Sequence, residues 1–572
     1  MKLKKVLAVI LSTLVLISVL SACSGSGGKP ESSNAGSTTT NATSEGASEN
    51  KEPVTLTVMI YGAPAMSGIQ TDPVAEKVKE LTGITLDVIS TANIANLSTE
   101  LNTMIASNSL PDIVPQQFTE HAKILLDNDV LIPLDDLVAE RGQEITNKKW
   151  GQFGVEVSKK FLSNDTGKLY FIMMYNGINY NAALPATGPY IRWDIYKKIG
   201  SPKVKNMDGL LDVLKQMQDA YPTTENGKKV YAISGFLADG GWNTFSLTAA
   251  ESFVGFRKLD AYGLLGSTVY NPSEMFNAME NVNSPTFELF RFYNKAYRMG
   301  ILDPEAVTMK FDQWYEKVTA GQVLYSPLGL GSIAIDGDSN KTLLPVKFEQ
   351  FENDSFTCQY INAGYGYGIT KQCKYPERAM DLLNFCWSYD GAYLLANGVE
   401  GESWTEIDGV KRLTPEEVAR RDDGSSSGSP YSTFIGPLMD ERTNTPITLT
   451  NTDDFYKTYR LNGILKDYCD FYKVDSPLQV FTAAKYNTWK NYEAGLKAYD
   501  DELTEINNTI QDYALTNLPR LVVAESEEEF NALCEEIIET INKLGAQKLI
   551  DYRKPTYTEI ASWYEEHMPV VD

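Results

Sequence analysis

The sequence predicts an α/β fold, and three observations predict it. An apolar run, Val54–Ile60, is followed by a capped amphipathic stretch and then by an alternating run, Ile84–Ile89. Strand, helix and strand in that order make the crossover unit of a parallel sheet. The alternation then continues: Leu97, Leu101, Met104 and Ile105 give a helical stripe ahead of the short apolar stretch Leu110–Pro115. Third, the body from about Pro53 onward runs to about 520 residues, which is too long for one core and implies two or more domains.

Each element has a local reason. Val54–Ile60 reads as a buried strand, and Tyr61–Gln70, with Gly and Pro, as a loop. Asp72-Pro73 places an N-cap before a proline in the first helical turn. Val74, Val78 and Leu81 supply the apolar stripe, and Gly83 stops the helix. Near the C-terminus, Ser526 with Glu529 spells a capping box. Phe530, Leu533, Ile537, Ile538, Ile541 and Leu544 follow as a helical face, closed by Gly545.

Composition excludes several function classes. A net charge of −24 argues against nucleic acid and anionic lipid as partners. Beyond Cys23 the cysteines are Cys358, Cys373, Cys386, Cys469 and Cys534, an odd number without a CxxC. That pattern is neither a disulfide scaffold nor a zinc site, so single buried thiols are expected, with a Cys358–Cys373 pair left open. The only histidines are His121 and His567, which removes the commonest general base and metal ligand from most of the chain. Tyrosine goes the other way, with 32 copies. Its flat apolar face and polar edge suit sugar rings as well as cores.

The N-terminus carries an address. Lys2, Lys4 and Lys5 precede an uncharged apolar run from Val6 to Leu20, and Leu20-Ser21-Ala22-Cys23 follows. The run is short for a bilayer-spanning helix, which needs roughly 20 residues. Small residues at 21 and 22 suit a peptidase cleft. The segment resembles the lipobox of bacterial lipoproteins, which implies that residues 1–22 are a signal peptide and that Cys23 is lipidated. A plain secretory signal or an N-terminal membrane anchor is the alternative. Removal of the signal takes three lysines and no acid, so the charge falls from −24 to −27. Ser24–Glu52 is almost wholly Ser, Gly, Thr, Asn, Ala and Glu, too polar to fold by burial. Residues 23–52 thus read as a lipidated cysteine and a disordered tether with a reach of roughly 30 Å. The expected location is the outer face of the cell membrane, held there by lipid alone.

Five stretches along the body resemble one family. They are Ser109-Leu-Pro-Asp-Ile-Val114; Gly167-Lys-Leu-Tyr-Phe-Ile172 with Tyr190-Ile-Arg-Trp-Asp-Ile-Tyr-Lys-Lys-Ile-Gly200; Gly300-Ile-Leu-Asp-Pro-Glu305 with Phe311–Gly321; Pro376-Glu-Arg-Ala-Met-Asp-Leu-Leu383; and Asn397-Gly-Val-Glu-Gly-Glu-Ser-Trp404. In this order they resemble the extracellular solute-binding proteins of ABC sugar importers, the maltose-binding-like family, and its large Gram-positive lipoprotein branch in particular. The resemblance implies a two-lobed, periplasmic-binding-protein-like (type II) α/β fold whose hinge the chain crosses several times. Lobe one would be 53–172 plus 358–400, and lobe two 178–357 plus 401–572. The ligand would sit between them, as loops at strand ends line such a cleft.

Candidate contacts are aromatics set beside Gly, Asn and acids in loops. Trp242 and Asn243, in Asp239-Gly-Gly-Trp-Asn243, form one pair, with a satellite core as the bland reading. Tyr365 and Tyr367 alternate onto one strand face where the resemblance puts a hinge, so they either touch ligand or pack the hinge. Glu402 and Trp404 follow a Gly-rich turn; Tyr61 follows the first strand, Gln116 and Gln117 the third, and Tyr175 and Asn176 the hinge strand. Arg192 would pair either with an acidic sugar or with a protein carboxylate. Gly424-Ser-Ser-Ser-Gly428 matches G-x-S-x-G but lacks the strand and helix of a nucleophile elbow. Asp336-Gly-Asp-Ser-Asn340 resembles half a calcium loop, without its closing glutamate, and reads better as a turn. No catalytic residue, cofactor or metal is expected.

The reading is a lipid-anchored binding protein, monomeric and not an enzyme, that captures an oligosaccharide for an ABC permease. A peptide or other solute receptor, or a sensor co-receptor, is the alternative, and a surface carbohydrate-active enzyme a more distant one. The sugar, its linkage and length, and the permease and ATPase are not legible.

Overall fold

Val54–Ile60 (β1) is the expected strand, with Leu56, Val58, Met59 and Ile60 fully buried. The computed structural model describes residues 52–61, 66–116, 119–180, 187–238, 256–260, 262–268, 273–329, 334–349, 359–362, 365–426, 429–481 and 495–569. The signal segment, Cys23, the tether, Gln117, Trp242, Asn243 and Cys358 lie outside the described residues.

The expected loop after β1 contains a short strand, Ser67–Ile69 (β2), antiparallel to Ile84–Ser90 (β3). It is an edge strand with Ile69 61% exposed, so no apolar alternation announces it. Between the two, Asp72 Oδ1 accepts the amides of Val74 and Ala75 at 3.0 and 3.2 Å and starts the helix Pro73–Thr82. Gly83, at φ 75°, ends it in the left-handed region that glycine adopts without strain. The helix buries Val74, Ala75 and Val78 and leaves Leu81 41% exposed, so its apolar face is narrower than the sequence stripe.

β1 and β3 run parallel in full register, Val54 opposite Ile84 and Ile60 opposite Ser90. After the helix Leu97–Ala106, Ile113–Gln116 (β4) joins parallel to β1. All four of its residues are buried, as a parallel strand covered on both faces requires. Helices Thr119–Asp127, Asp135–Arg141 and Lys149–Phe161 lead to Ile172–Met174 (β5).

The chain then leaves this sheet. Gly177–Tyr180 (β6) leads to Thr187–Arg192 (β7). An antiparallel meander follows, Phe256–Lys258 (β8), Leu265–Thr268 (β9) and Met275–Asn277 (β10). Tyr325–Leu328 (β11) and Leu343–Pro345 (β12) flank β7, both antiparallel to it. The return is through Gln359–Asn362 (β13), antiparallel to β6, into Tyr365–Ile369 (β14). β14 inserts antiparallel between β4 and β5, giving the six-stranded order β2-β3-β1-β4-β14-β5.

Alternation sends Val114, Phe171 and Met173 to one face of this sheet, where they pack with Leu101, Leu125 and Leu131. Ile113, Ile172 and Met174 turn to the other face and the main core. A third core, Tyr190, Phe236, Trp314, Val318, Val323 and Leu343, backs the β7 sheet. By contacts, Lys51–Asp572 hold together as one unit.

At the C-terminal helix Glu527–Leu544, Ser526 Oγ accepts the Glu529 amide at 3.1 Å, the first half of the expected capping box. The Glu529 carboxylate reaches back to the amide of Glu525 at 2.9 Å, one residue further than in the standard motif. Cys534 joins Phe530, Ile537 and Ile541 on the buried face.

Residues 421–426 and 429–449 are bound to the six-stranded sheet and its helices. Asn397, buried at the end of the helix Tyr389–Asn397, donates to the Ile447 carbonyl at 2.8 Å and accepts the Leu449 amide at 2.9 Å. Arg421 donates to the Ala396 carbonyl at 2.7 Å. Gly436 donates to the Cys386 carbonyl at 2.9 Å and lies flat against the Trp387 indole, whose Nε1 donates to the Met173 carbonyl at 3.2 Å. A Cβ at 436 would stand 2.4 Å from the indole, so only glycine fits. Gly436→Ala is therefore expected to destabilise the fold by about 1–3 kcal/mol through overpacking, read as a lower urea midpoint at unchanged slope.

Candidate functional site

β5 is antiparallel to β14, and β14 to β4, so β1, β4 and β5 point the same way and end at one edge. The crevice outside the carboxyl ends of such strands is where open α/β sheets bind ligands. Tyr61 follows β1 there, Gln116 ends β4, Tyr175 and Asn176 follow β5, and Tyr365 opens β14. Tertiary pairing thus gathers five expected site residues from four distant parts of the sequence.

Three of them form a ladder of rings. The Tyr365 centroid lies 4.4 Å from that of Tyr61, with 30° between planes, and 6.1 Å from that of Tyr175, with 26° between planes. All three side chains are half-buried. Their backbones are held independently. The Tyr61 amide donates to Tyr367 Oη at 3.2 Å, and the Tyr61 carbonyl accepts Thr433 Oγ1 at 2.6 Å. The Tyr175 amide donates to the Ile435 carbonyl at 2.6 Å, with Tyr175 itself at φ 56°.

Other expected contacts are packed away. Tyr367 is fully buried against Phe434, with centroids 4.9 Å apart, and burial pushes its phenol pKa up. It shares a strand face with Tyr365, as alternation requires, but two residues further along that face is core. Gln116 is 3% exposed and folds over Gly366, where a Cβ would stand 2.6 Å from its Nε2. Asn176 is 1% exposed and donates from Nδ2 to the Trp150 carbonyl at 2.8 Å. Trp404 is buried with Nε1 donating to the Gly398 carbonyl at 2.9 Å, while Glu402 beside it is exposed. Arg192 is buried and grips Asp194 with two bonds, Nε to Oδ1 at 2.8 Å and Nη2 to Oδ2 at 2.7 Å. The carboxylate two residues downstream takes the place expected for an acidic sugar. In this structure Gln116, Asn176, Arg192, Tyr367 and Trp404 are each buried against the protein.

One segment at the site was not expected. Tyr431, Thr433, Phe434 and Ile435 lie against the ends of β1 and β14, with Tyr431 Oη donating to Asp72 Oδ2 at 2.5 Å. Aromatics beside hydroxyls after a Ser/Gly stretch are the signal that could have found it.

The site offers flat π faces and phenolic edges, suited to a ring with an apolar face and hydroxyls at its rim. The G-x-S-x-G serine, Ser426, is buried and donates to Oε1 of the buried Glu417 at 2.5 Å, and Glu417 also accepts Arg420 and Arg421. His121 is buried, and burial lowers its pKa against an opposing effect of Glu120. His567 stacks on Trp563 with centroids 4.4 Å apart. Asp336–Asn340 is a tight turn, with Asp336 and Gly337 both at positive φ. Among the described residues, no three His, Cys, Asp or Glu side chains come together as a metal site. Cys373, Cys386, Cys469 and Cys534 are free thiols.

Residues 68–393 match the model of the bacterial extracellular solute-binding protein family. No curated protein matches the sequence at a significant level. Among solved structures, the chain is similar to an HMO-binding, ABC-transporter-associated solute-binding protein from Bifidobacterium longum infantis, at 13% identity and a TM-score of 0.60 over 90% of this chain and 99% of that one. It is also similar to the S. pneumoniae ABC-transporter substrate-binding protein FusA in complex with kestose, at 14% identity and TM-score 0.54 over 90% and 100%. A third is the N-glycan transport solute-binding protein NgtS of Streptococcus pneumoniae, at 15% identity and TM-score 0.52 over 89% and 99%. At such identities the likeness establishes the fold, two-lobed and α/β.

The Tyr367 hydroxyl is the acceptor that holds the Tyr61 amide. Tyr367→Phe is expected to cost about 1 kcal/mol in a urea denaturation. The exchange protection of the Tyr61 amide is expected to fall with it.

Proposed function

This chain belongs to the bacterial extracellular solute-binding protein family, and from that premise we propose that it is a lipid-anchored receptor that captures an oligosaccharide and hands it to the permease subunits of an ABC transporter. The ring ladder Tyr61–Tyr365–Tyr175 carries the sugar reading. Pyranose and furanose rings present C–H faces that pack on aromatic planes, and their hydroxyls need polar edges within reach. Three of its structural neighbours are named for HMO, a kestose complex and N-glycan transport, which supports the same choice.

The chain makes and breaks no bond in this reading. Lobe one, 53–172 plus 358–400, and lobe two, 178–357 plus 401–572, close about the β6–β13 crossing. Residues 429–449 and the C-terminal helix around Trp563 and Tyr564, both of lobe two, lie against lobe one. The ligand favours the closed state because both lobes touch it only there. Among the described residues no helix is long and apolar enough to cross a membrane. Attachment is assigned to lipid on Cys23, on the strength of the lipobox-like Leu20-Ser21-Ala22-Cys23, with more than one acyl chain, since a single chain binds only marginally. The protein works as a monomer.

A thermal-shift screen of neutral oligosaccharides, including kestose and N-glycan fragments, alongside uronates and peptides tests the ligand class. A true ligand at 100 times its Kd adds about 2.7 kcal/mol of stability and raises Tm. An oligosaccharide is expected to do so, and Tyr365→Ala to weaken it by up to about tenfold. A shift with peptides alone would overturn the sugar reading. Cys23→Ser is expected to release the protein from the membrane fraction while the purified variant keeps its ligand affinity.

A further inference from the structure

The connection from β5 to β6 is two residues long, Tyr175 and Asn176. It is the first point at which the chain leaves the six-stranded sheet for the β6–β13 pair, and it is unusually costly. Tyr175 sits at φ 56°, a region that bulky side chains rarely enter, and Gly177 sits at φ 126°. Asn176 Oδ1 is buried without a hydrogen-bond partner among the described residues. The Trp150 ring closes the other side, 3.5 Å from where a Cβ on Gly177 would stand. Such features persist only where surrounding contacts over-determine them. Here the Tyr175 and Asn176 amides donate to the carbonyls of Ile435 and Gly436 at 2.6 and 2.9 Å, and the Leu438 amide donates to the Asn176 carbonyl at 3.1 Å. The Tyr175 ring adds its stack on Tyr365.

We infer that Tyr175 is a positioning residue that couples the ring ladder to lobe opening. Its left-handed backbone aims the ring at Tyr365, and the stack in turn holds the pivot in its strained state. When the lobes swing, the φ of Tyr175 changes and its ring leaves the ladder. A sugar that packs on the ladder thereby acts on the pivot directly, with no intervening relay. The inference rests on the two-lobed binding reading and adds to it the residue through which occupancy and hinge angle are linked.

The test uses the full chain without ligand. Labels at the exposed Asn102 and Glu316, one in each proposed lobe, report the distribution of lobe separations. Tyr175→Gly keeps the left-handed backbone free of strain and removes the ring. It is expected to change the ratio of the two distance populations by about twofold to tenfold, the range that one aromatic pair can supply. Tyr175→Phe, which keeps the ring, is expected to stay close to the parent. Gly177→Ala, strained at the same pivot, serves as the hinge control. A shift with Gly177→Ala but none with Tyr175→Gly would overturn the coupling and leave the hinge intact. A single unchanging distance in every variant would overturn the two-lobed opening itself, and the coupling with it. A mere packing role for the ring would lower Tm in Tyr175→Gly without moving the distances.

Discussion

The rest of the structure depends on three backbone segments that lie side by side where the chain leaves the six-stranded sheet. Residues 177–180 pair with 359–362, and residues 435–438 exchange hydrogen bonds with Tyr175 and Asn176. Backbone groups buried at such a crossing must find partners, and here each crossing segment supplies them to another. The crossing sets where β14 enters the sheet, and β14 completes it by filling the gap between β4 and β5. Close approach is what makes this possible. Gly366, Gly368 and Gly436 stand where any Cβ would run into Gln116, Leu131 or the Trp387 indole.

The same crossing builds the site. Tyr61, Tyr175 and Tyr365 come from three segments that have nothing in common locally, and they meet because all three strand ends lie on one sheet edge. The neighbours that hold them are backbone groups and the hydroxyls of Tyr367 and Thr433, so the rings are positioned by the fold and not by one another alone. This is why the expected contact list divides so sharply. Tyr365, at the start of its strand, is half-buried at that edge, while Tyr367, two steps inward on the same face, is core.

Much of the fold was legible because its signals are local. Asp72 and Gly83 bracket a helix that forms where they place it, and β1 and β3 pair in parallel as a strand–helix–strand unit must. Signals failed where the deciding partner was remote. β2 has no apolar face, so only the free edge of β3 makes it a strand. Leu81 fits the stripe of its helix but faces solvent, because Ala75 occupies the side turned to the sheet. Arg192 has the chemistry to hold an acid, and the sequence does not say that Asp194 folds back to take it. Trp404 has the composition of a sugar platform, and a carbonyl at Gly398 claims its indole N–H.

By itself the sequence determined the α/β class, the order of its first elements, the absence of a familiar catalytic motif and the family pattern spread along the body. These depend on periodicity, caps and spacing, which act within a few turns of chain. Only the tertiary structure decided which aromatics stand at the carboxyl edge of the sheet and which fill the core, and that residues 431–438 lie against that edge. Burial is a property of what packs against a side chain. For Tyr365 and Tyr367, two positions apart on one strand face, those neighbours are supplied by segments more than sixty residues away in either direction along the chain.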